Sequence, residues 1–150
     1  KKIINTLTSR CIKFNLFLNN ESKNKIIEKL LNNNFYTNLN NDFKNIYCSP
    51  GDIVSLHNFF KNNEIDEKIT IDDFIKLVIN KSLFKKNSYI INNLSYFLEL
   101  FFLKKIYSLK SKNKVYNFYN YFLSKISNCN KYNLDIESVL IEFDGKVLNE

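Results

Sequence analysis

Chain reversal is what most constrains this sequence. In 150 residues there are two glycines, Gly51 and Gly145, and one proline, Pro50. An all-β sandwich or barrel turns about every ten residues and relies on glycine and proline to do so. A chain this poor in both excludes such a fold and points to helices joined by few breaks. Apolar residues make up 45% of the chain, with 14 Phe and 9 Tyr, enough for a real core. The length suits one domain or two small ones.

Charge and cysteine usage narrow the function. The net charge is +7, which could attract nucleic acid. The lysines are scattered along the chain, however, so a solvated surface is expected for most of them. Cys11, Cys48 and Cys129 are odd in number and far apart, which predicts reduced cytoplasmic thiols with neither a disulfide framework nor a zinc spacing. His57 is the only histidine and has no cysteine close in sequence, so it is expected on a helix surface and no metal site is expected. No signal peptide is visible. The chain starts Lys1-Lys2 and contains no Met, so it reads as a fragment. The most apolar run, Ile90 to Leu103, is interrupted by Asn92, Asn93 and Glu99. It is shorter than the roughly 20 apolar residues a membrane span needs, and a buried core helix is expected there.

The order of patterns along the chain predicts three pieces. Ile12, Phe14 and Leu16 alternate and predict a short strand after a loop. A helix follows, with Asn19 or Asn20 as cap, Glu21 in its first turn and Ile26, Ile27, Leu30 and Leu31 on one face. Next come a short helix, a break and a second helix, for which Ser49 is the cap and Pro50 the first residue. Its buried stripe is expected to be Ile53, Leu56, Phe59 and Phe60. An acidic linker precedes Thr70, which with Asp73 resembles a capping box. From there Phe74, Ile75, Leu77, Val78, Leu83 and Phe84 recur at helical spacing. Long helices are expected at about 88–109 and 114–127, packed antiparallel around Tyr96 and Phe118, and a last helix begins near Leu134 or Asp135. Gly145 is expected to weaken the end of that last helix.

Two sites stand out chemically. Arg10 is the only arginine in a chain whose other cations are all lysine, and the bias toward AT-rich codons that this composition suggests favours lysine. A planar guanidinium grips phosphate or carboxylate with two parallel bonds, and an ammonium does not. The plain alternative is a chance surface arginine. The second is Ser49, Pro50, Gly51 and Asp52, which at its simplest is a capped helix start. The aromatic run of Tyr96, Phe97, Phe101, Phe102, Phe118, Tyr119 and Phe122 invites a base-stacking role, but such spacing is expected to be core or packing surface. The carboxylates Asp66, Glu67, Asp72 and Asp73 fit a solvated linker and a helix N-terminus better than a metal site.

Together the two motifs, "TLTSRC" and "CSPGDIV", resemble those of the bacterial DNA polymerase III clamp-loader subunits, an AAA+ family, and within it the delta-prime type. In that family Ile-Leu-Pro-Thr-Ile-x-Ser-Arg-Cys closes the nucleotide-binding domain. Here Ile3 to Cys11 stand in its place, with Ser9, Arg10 and Cys11 matching and Asn5 where the family has proline. The resemblance implies a mainly α fragment in three parts. Residues 1–18 form the C-terminal edge of an AAA+ α/β domain, 19–64 a small helical lid, and 65–150 a helical collar bundle for oligomerisation. It further implies that Arg10 is an arginine finger, supported by Ser9 and Cys11, acting in trans on ATP-Mg held by a neighbouring subunit. Such a finger is worth roughly 10³–10⁵ in rate in GTPases.

ATP-hydrolysing relatives carry Gly-Ser-x-Arg-Asp at the lid helix, whose arginine senses the chain's own nucleotide. Here Gly51 occupies the arginine's place between Pro50 and Asp52, the form usual in delta-prime. The resemblance thus implies a non-hydrolysing subunit in DNA replication, without a cofactor of its own. Its implied partners are gamma/tau and delta subunits and, through the complex, the sliding clamp and primed DNA. An ATP-hydrolysing gamma/tau-type subunit and an unrelated helical interaction module are the alternatives.

Overall fold

The computed structural model describes residues 18–31, 34–44, 49–108 and 112–148. Among these the protein is mainly helical and has no strand. The predicted strand at Ile12, Phe14 and Leu16 lies outside the described residues.

Helix α1 (Asn20–Leu31) starts where Asn19 Oδ1 accepts the Ser22 amide at 2.8 Å. Ile27 is its fully buried residue, and Lys23, one turn earlier on the same face, is buried too. Leu30, expected on the apolar face, is exposed instead. The face that α1 turns toward helix α3 is centred on Ile27, and Leu30 falls to one side of it. The single turn α2 (Phe35–Asn38) and a 3₁₀ turn (Asn41–Phe43) follow, burying Phe35, Leu39 and Phe43.

Helix α3 (Pro50–Asn62) buries the whole expected stripe, Ile53, Leu56, Phe59 and Phe60. It ends in a way that reflects the shortage of glycine. Glu64 takes a left-handed conformation (φ 53°), and the Ile65 amide reaches back to the Phe60 carbonyl at 3.0 Å. Glycine usually fills that position because a Cβ is strained there. Asn133 does the same at the end of α7 (φ 53°), with the Leu134 amide on the Cys129 carbonyl at 3.0 Å.

The second half comprises α4 (Ile71–Asn80), the single turn α5 (Leu83–Lys86), α6 (Ser88–Ser108), α7 (Lys112–Tyr132), α8 (Ile136–Phe143) and a π-type turn (Asp144–Leu148). Thr70 caps α4, its hydroxyl accepting the Asp73 amide at 3.2 Å and donating to the Asp73 carboxylate at 2.8 Å. Helix α7 runs to Tyr132, beyond the expected end near Ser127. Burial of Ile126 and Cys129 on its inner face carries it that far. Asp135 caps α8 by accepting the Glu137 amide at 3.0 Å. Gly145 lies inside the π-type turn that prolongs α8.

Helix α6 is the centre of the bundle. Ile90, Leu94, Phe97, Leu98, Leu100, Phe101 and Phe102 are all buried, so its apolar surface runs round most of its circumference. It packs on the 3₁₀ turn, α4, α5 and α7. Only three residues separate α6 from α7, and the two pack along each other, so they run antiparallel. A ring contact between Phe102 and Tyr119, with centres 5.8 Å apart, joins them. Phe143 of α8 closes the far end, its ring 5.3 Å from Phe101, 5.9 Å from Phe102 and 5.0 Å from Phe122.

One aromatic chain crosses the molecule. Phe74 of α4 lies 5.4 Å from Phe43, 5.6 Å from Phe60, 6.2 Å from Phe59 and 5.0 Å from Phe97, ring centre to ring centre. The buried core is therefore continuous across residues 64 and 65, where the sequence pattern changes.

Candidate functional site at the start of helix α3

The best-formed local geometry at a motif is the start of α3. The Ser49 hydroxyl accepts the Asp52 amide at 3.2 Å, and the Asp52 carboxylate accepts the Ser49 amide at 2.9 Å and its hydroxyl at 2.8 Å. This reciprocal capping box satisfies two amides that a helix start leaves unpaired. Pro50, in the first turn, lacks an amide hydrogen and so leaves no unpaired donor there. The motif is therefore a strong helix start.

Gly51 has another character. It is exposed, its φ is not positive, and among the described residues a Cβ built on it meets only the Ser49 Oγ at 3.6 Å, an ordinary contact. Nothing among the described residues requires glycine there. Arg10, Ser9 and Cys11, the other half of the expected site, lie outside the described residues.

The remaining candidates fall elsewhere. Phe97, Phe101, Phe102 and Phe122 are buried, and Tyr96, Phe118 and Tyr119 are half-buried, so this aromatic set is mostly core. His57 departs from the surface position expected of it. Its ring is half-buried and packs edge-on to Phe35, with centres 4.6 Å apart, because α1 and α2 cover that side of α3. Cys129 is buried and its Sγ faces the Asp135 carbonyl at 3.7 Å. Among the described residues no group of histidine, cysteine and carboxylate side chains could hold a metal ion.

Asp66 and Asp73 serve local turns and caps, as expected. Asp72 does not. It is half-buried, 2.8 Å from Lys104 and 2.7 Å from Lys105 of α6, and Lys104 also lies 2.8 Å from Asp42. Burial works against the charge on Asp72, but the bonds and fields of the two lysines outweigh it and hold the carboxyl below its ordinary range. Burial likewise opposes the charge on Lys104, and the two carboxylates overcome it and raise the ammonium. Sequence reasoning missed this cluster because it joins Asp42 to Lys104, 62 residues away.

A second cluster ties α7 to α8. Glu142 accepts from Tyr121 Oη at 2.6 Å, from Lys146 at 2.7 Å and from Lys125. Bonds from Lys125, then Lys146, then Tyr121 lower its pKa to about 2.

These features define a helical protein with a capped, open helix start and two inter-helix ion clusters. No helix of the described residues is long and apolar enough to cross a membrane. Comparison with known protein families, characterised proteins and solved structures finds no match to this chain.

Proposed function

We propose that this chain is the C-terminal half of a delta-prime-like subunit of the bacterial DNA polymerase III clamp loader. In this reading it belongs to a DNA-directed DNA polymerase holoenzyme in the cytoplasm and helps place the sliding clamp on primed DNA. Residues 1–18 close an AAA+ domain, the helices up to residue 64 are its lid, and the later helices are the collar. It hydrolyses no ATP itself. Arg10 reaches the γ-phosphate of ATP-Mg on a neighbouring gamma/tau subunit and steadies the charge that develops there during transfer.

The observation that carries this reading is Gly51. It stands at the sensor position of the motif, in a helix start where no neighbour among the described residues excludes a side chain. A glycine there, with no requirement for it among the described residues, is consistent with a lost nucleotide contact. The helical body that follows agrees with a lid and collar in kind.

The test uses the full-length protein in a reconstituted loader. Arg10→Lys keeps the charge and loses the bidentate geometry. Clamp- and DNA-stimulated ATP turnover should fall at one site, with assembly intact and nucleotide affinity little changed. Unchanged turnover in a normally assembled complex would overturn the assignment of Arg10.

A further inference from the structure

The net charge is unevenly placed. From Leu100 to Leu134 there is no Asp or Glu, and the seven lysines of that stretch equal the whole net charge of +7. Helix α7 lies inside it. Lys114, Phe118, Tyr121 and Lys125 follow at spacings of four, three and four residues, so they share one face of α7. Lys114 and Tyr121 are exposed, and Phe118 and Lys125 are half-exposed. Lys114, Asn117, Phe118 and Tyr121, with Lys146 from the C-terminal turn, line an open cavity of about 320 Å³. Each ring carries an ammonium close by. Lys114 lies 5.7 Å from the Phe118 ring centre, and Lys125 and Lys146 lie 4.8 and 5.3 Å from that of Tyr121.

We propose that this face of α7 binds single-stranded nucleic acid, with Phe118 and Tyr121 receiving bases and the flanking lysines receiving phosphates. Rings interleaved with cations along an open groove suit a strand whose bases are free to stack, which a duplex does not offer. A membrane surface fits less well. Asn117, Asn120 and Ser124 lie beside the stripe, and it has no aliphatic side chain to insert among lipid tails. Glu142 bonds two of the lining side chains, Tyr121 and Lys146. It fixes Lys125, Lys146 and the Tyr121 hydroxyl in place while cancelling one positive charge. Binding is therefore modest and depends on salt. This inference does not depend on the clamp-loader reading.

The experiment is fluorescence anisotropy of the full chain with a labelled oligothymidylate of about 16 nucleotides. A duplex of equal length and phosphatidylglycerol vesicles are the competing ligands. The single strand should bind tighter than the duplex, with a slope of log K against log salt of about −2, as about three phosphate contacts give. Lys114→Glu combined with Lys146→Glu should weaken binding about tenfold or more, and Tyr121→Leu about tenfold. Reversing the exposed Lys61 and Lys76, on α3 and α4, makes the same change in net charge and should alter affinity by less than about twofold. The proposal is overturned by absence of binding at low salt, by equal binding of duplex, by preference for the vesicles, or by equal weakening in the Lys61/Lys76 control. Circular dichroism confirms that each variant is folded.

Discussion

Asp42 Oδ2 lies 2.8 Å from Lys104 Nζ, joining the 3₁₀ turn of the first half to the central helix of the second. The same oxygen accepts the Ile71 amide at 3.0 Å, at the first residue of α4. One carboxylate thus pairs with a cation on α6 and supplies a partner to one further amide at the helix start that Thr70 caps. Asp72 shares Lys104 from the other side. Asp42→Ala removes both of its bonds and should destabilise the protein by about 1–3 kcal/mol, measured by urea unfolding. An unchanged midpoint would show that the cluster is decorative.

Phe74 is the point where the aromatic chain from Phe43, Phe59 and Phe60 meets Phe97. It is 1% exposed, so truncation leaves a cavity rather than a solvated notch. Phe74→Ala should cost about 3–5 kcal/mol. Because the core is continuous there, fluorescence of tyrosines in both halves and far-ultraviolet dichroism should report one coincident transition in the wild type. Two separate transitions would mean the halves unfold independently.

Glu64 performs at the end of α3 the role glycine usually has. Its left-handed backbone places a Cβ where it is strained, at a cost of roughly 1–2 kcal/mol. Its side chain is exposed. Glu64→Gly relieves that strain at the expense of a more flexible unfolded chain, and a net gain of about 1 kcal/mol in thermal or urea unfolding is expected. A loss of stability would show that the Glu64 side chain contributes more than its backbone costs.

Glu142 predicts a pH dependence. Its pKa falls from 4.5 to about 2 on folding, so the folded state favours the ionised form. A group depressed in this way contributes stability fully above its unfolded pKa, and that contribution disappears as pH falls through the folded value. The window is therefore between 4.5 and about 2. Asp72 is shifted in the same direction and adds to the loss below its ordinary value of 3.8. Glu142→Gln should be less stable than wild type at neutral pH, and the difference should shrink steadily through that window. Parallel stability profiles for the two proteins would contradict the shift.

Local chemistry decided much of this protein. Ser49 and Asp52 form a capping box because three residues separate them, and Thr70 and Asp73 cap α4 at the same spacing. The Ile53, Leu56, Phe59 and Phe60 stripe follows from the period of a helix. So do the two long helices, given no glycine or proline to break them. The resemblance in "TLTSRC" and "CSPGDIV" also needed only sequence, and its leading residue, Arg10, lies outside the described structure.

Tertiary structure decided the rest, because it depends on which surfaces meet. Leu30 and Ile27 share the apolar pattern of α1, but α3 covers only Ile27. His57 became half-buried because Phe35 lies against it. Asp72 sits at a helix start, like many solvated acids, and only the arrival of α6 made it part of an ion cluster. The lysines look scattered when spaced along the chain. Folding α7 as a helix places Lys114, Phe118, Tyr121 and Lys125 on one face, and the C-terminal turn brings Lys146 beside them. Spacing along a chain sets what is local, and long-range packing sets which of those local faces are covered, paired or left open to a partner.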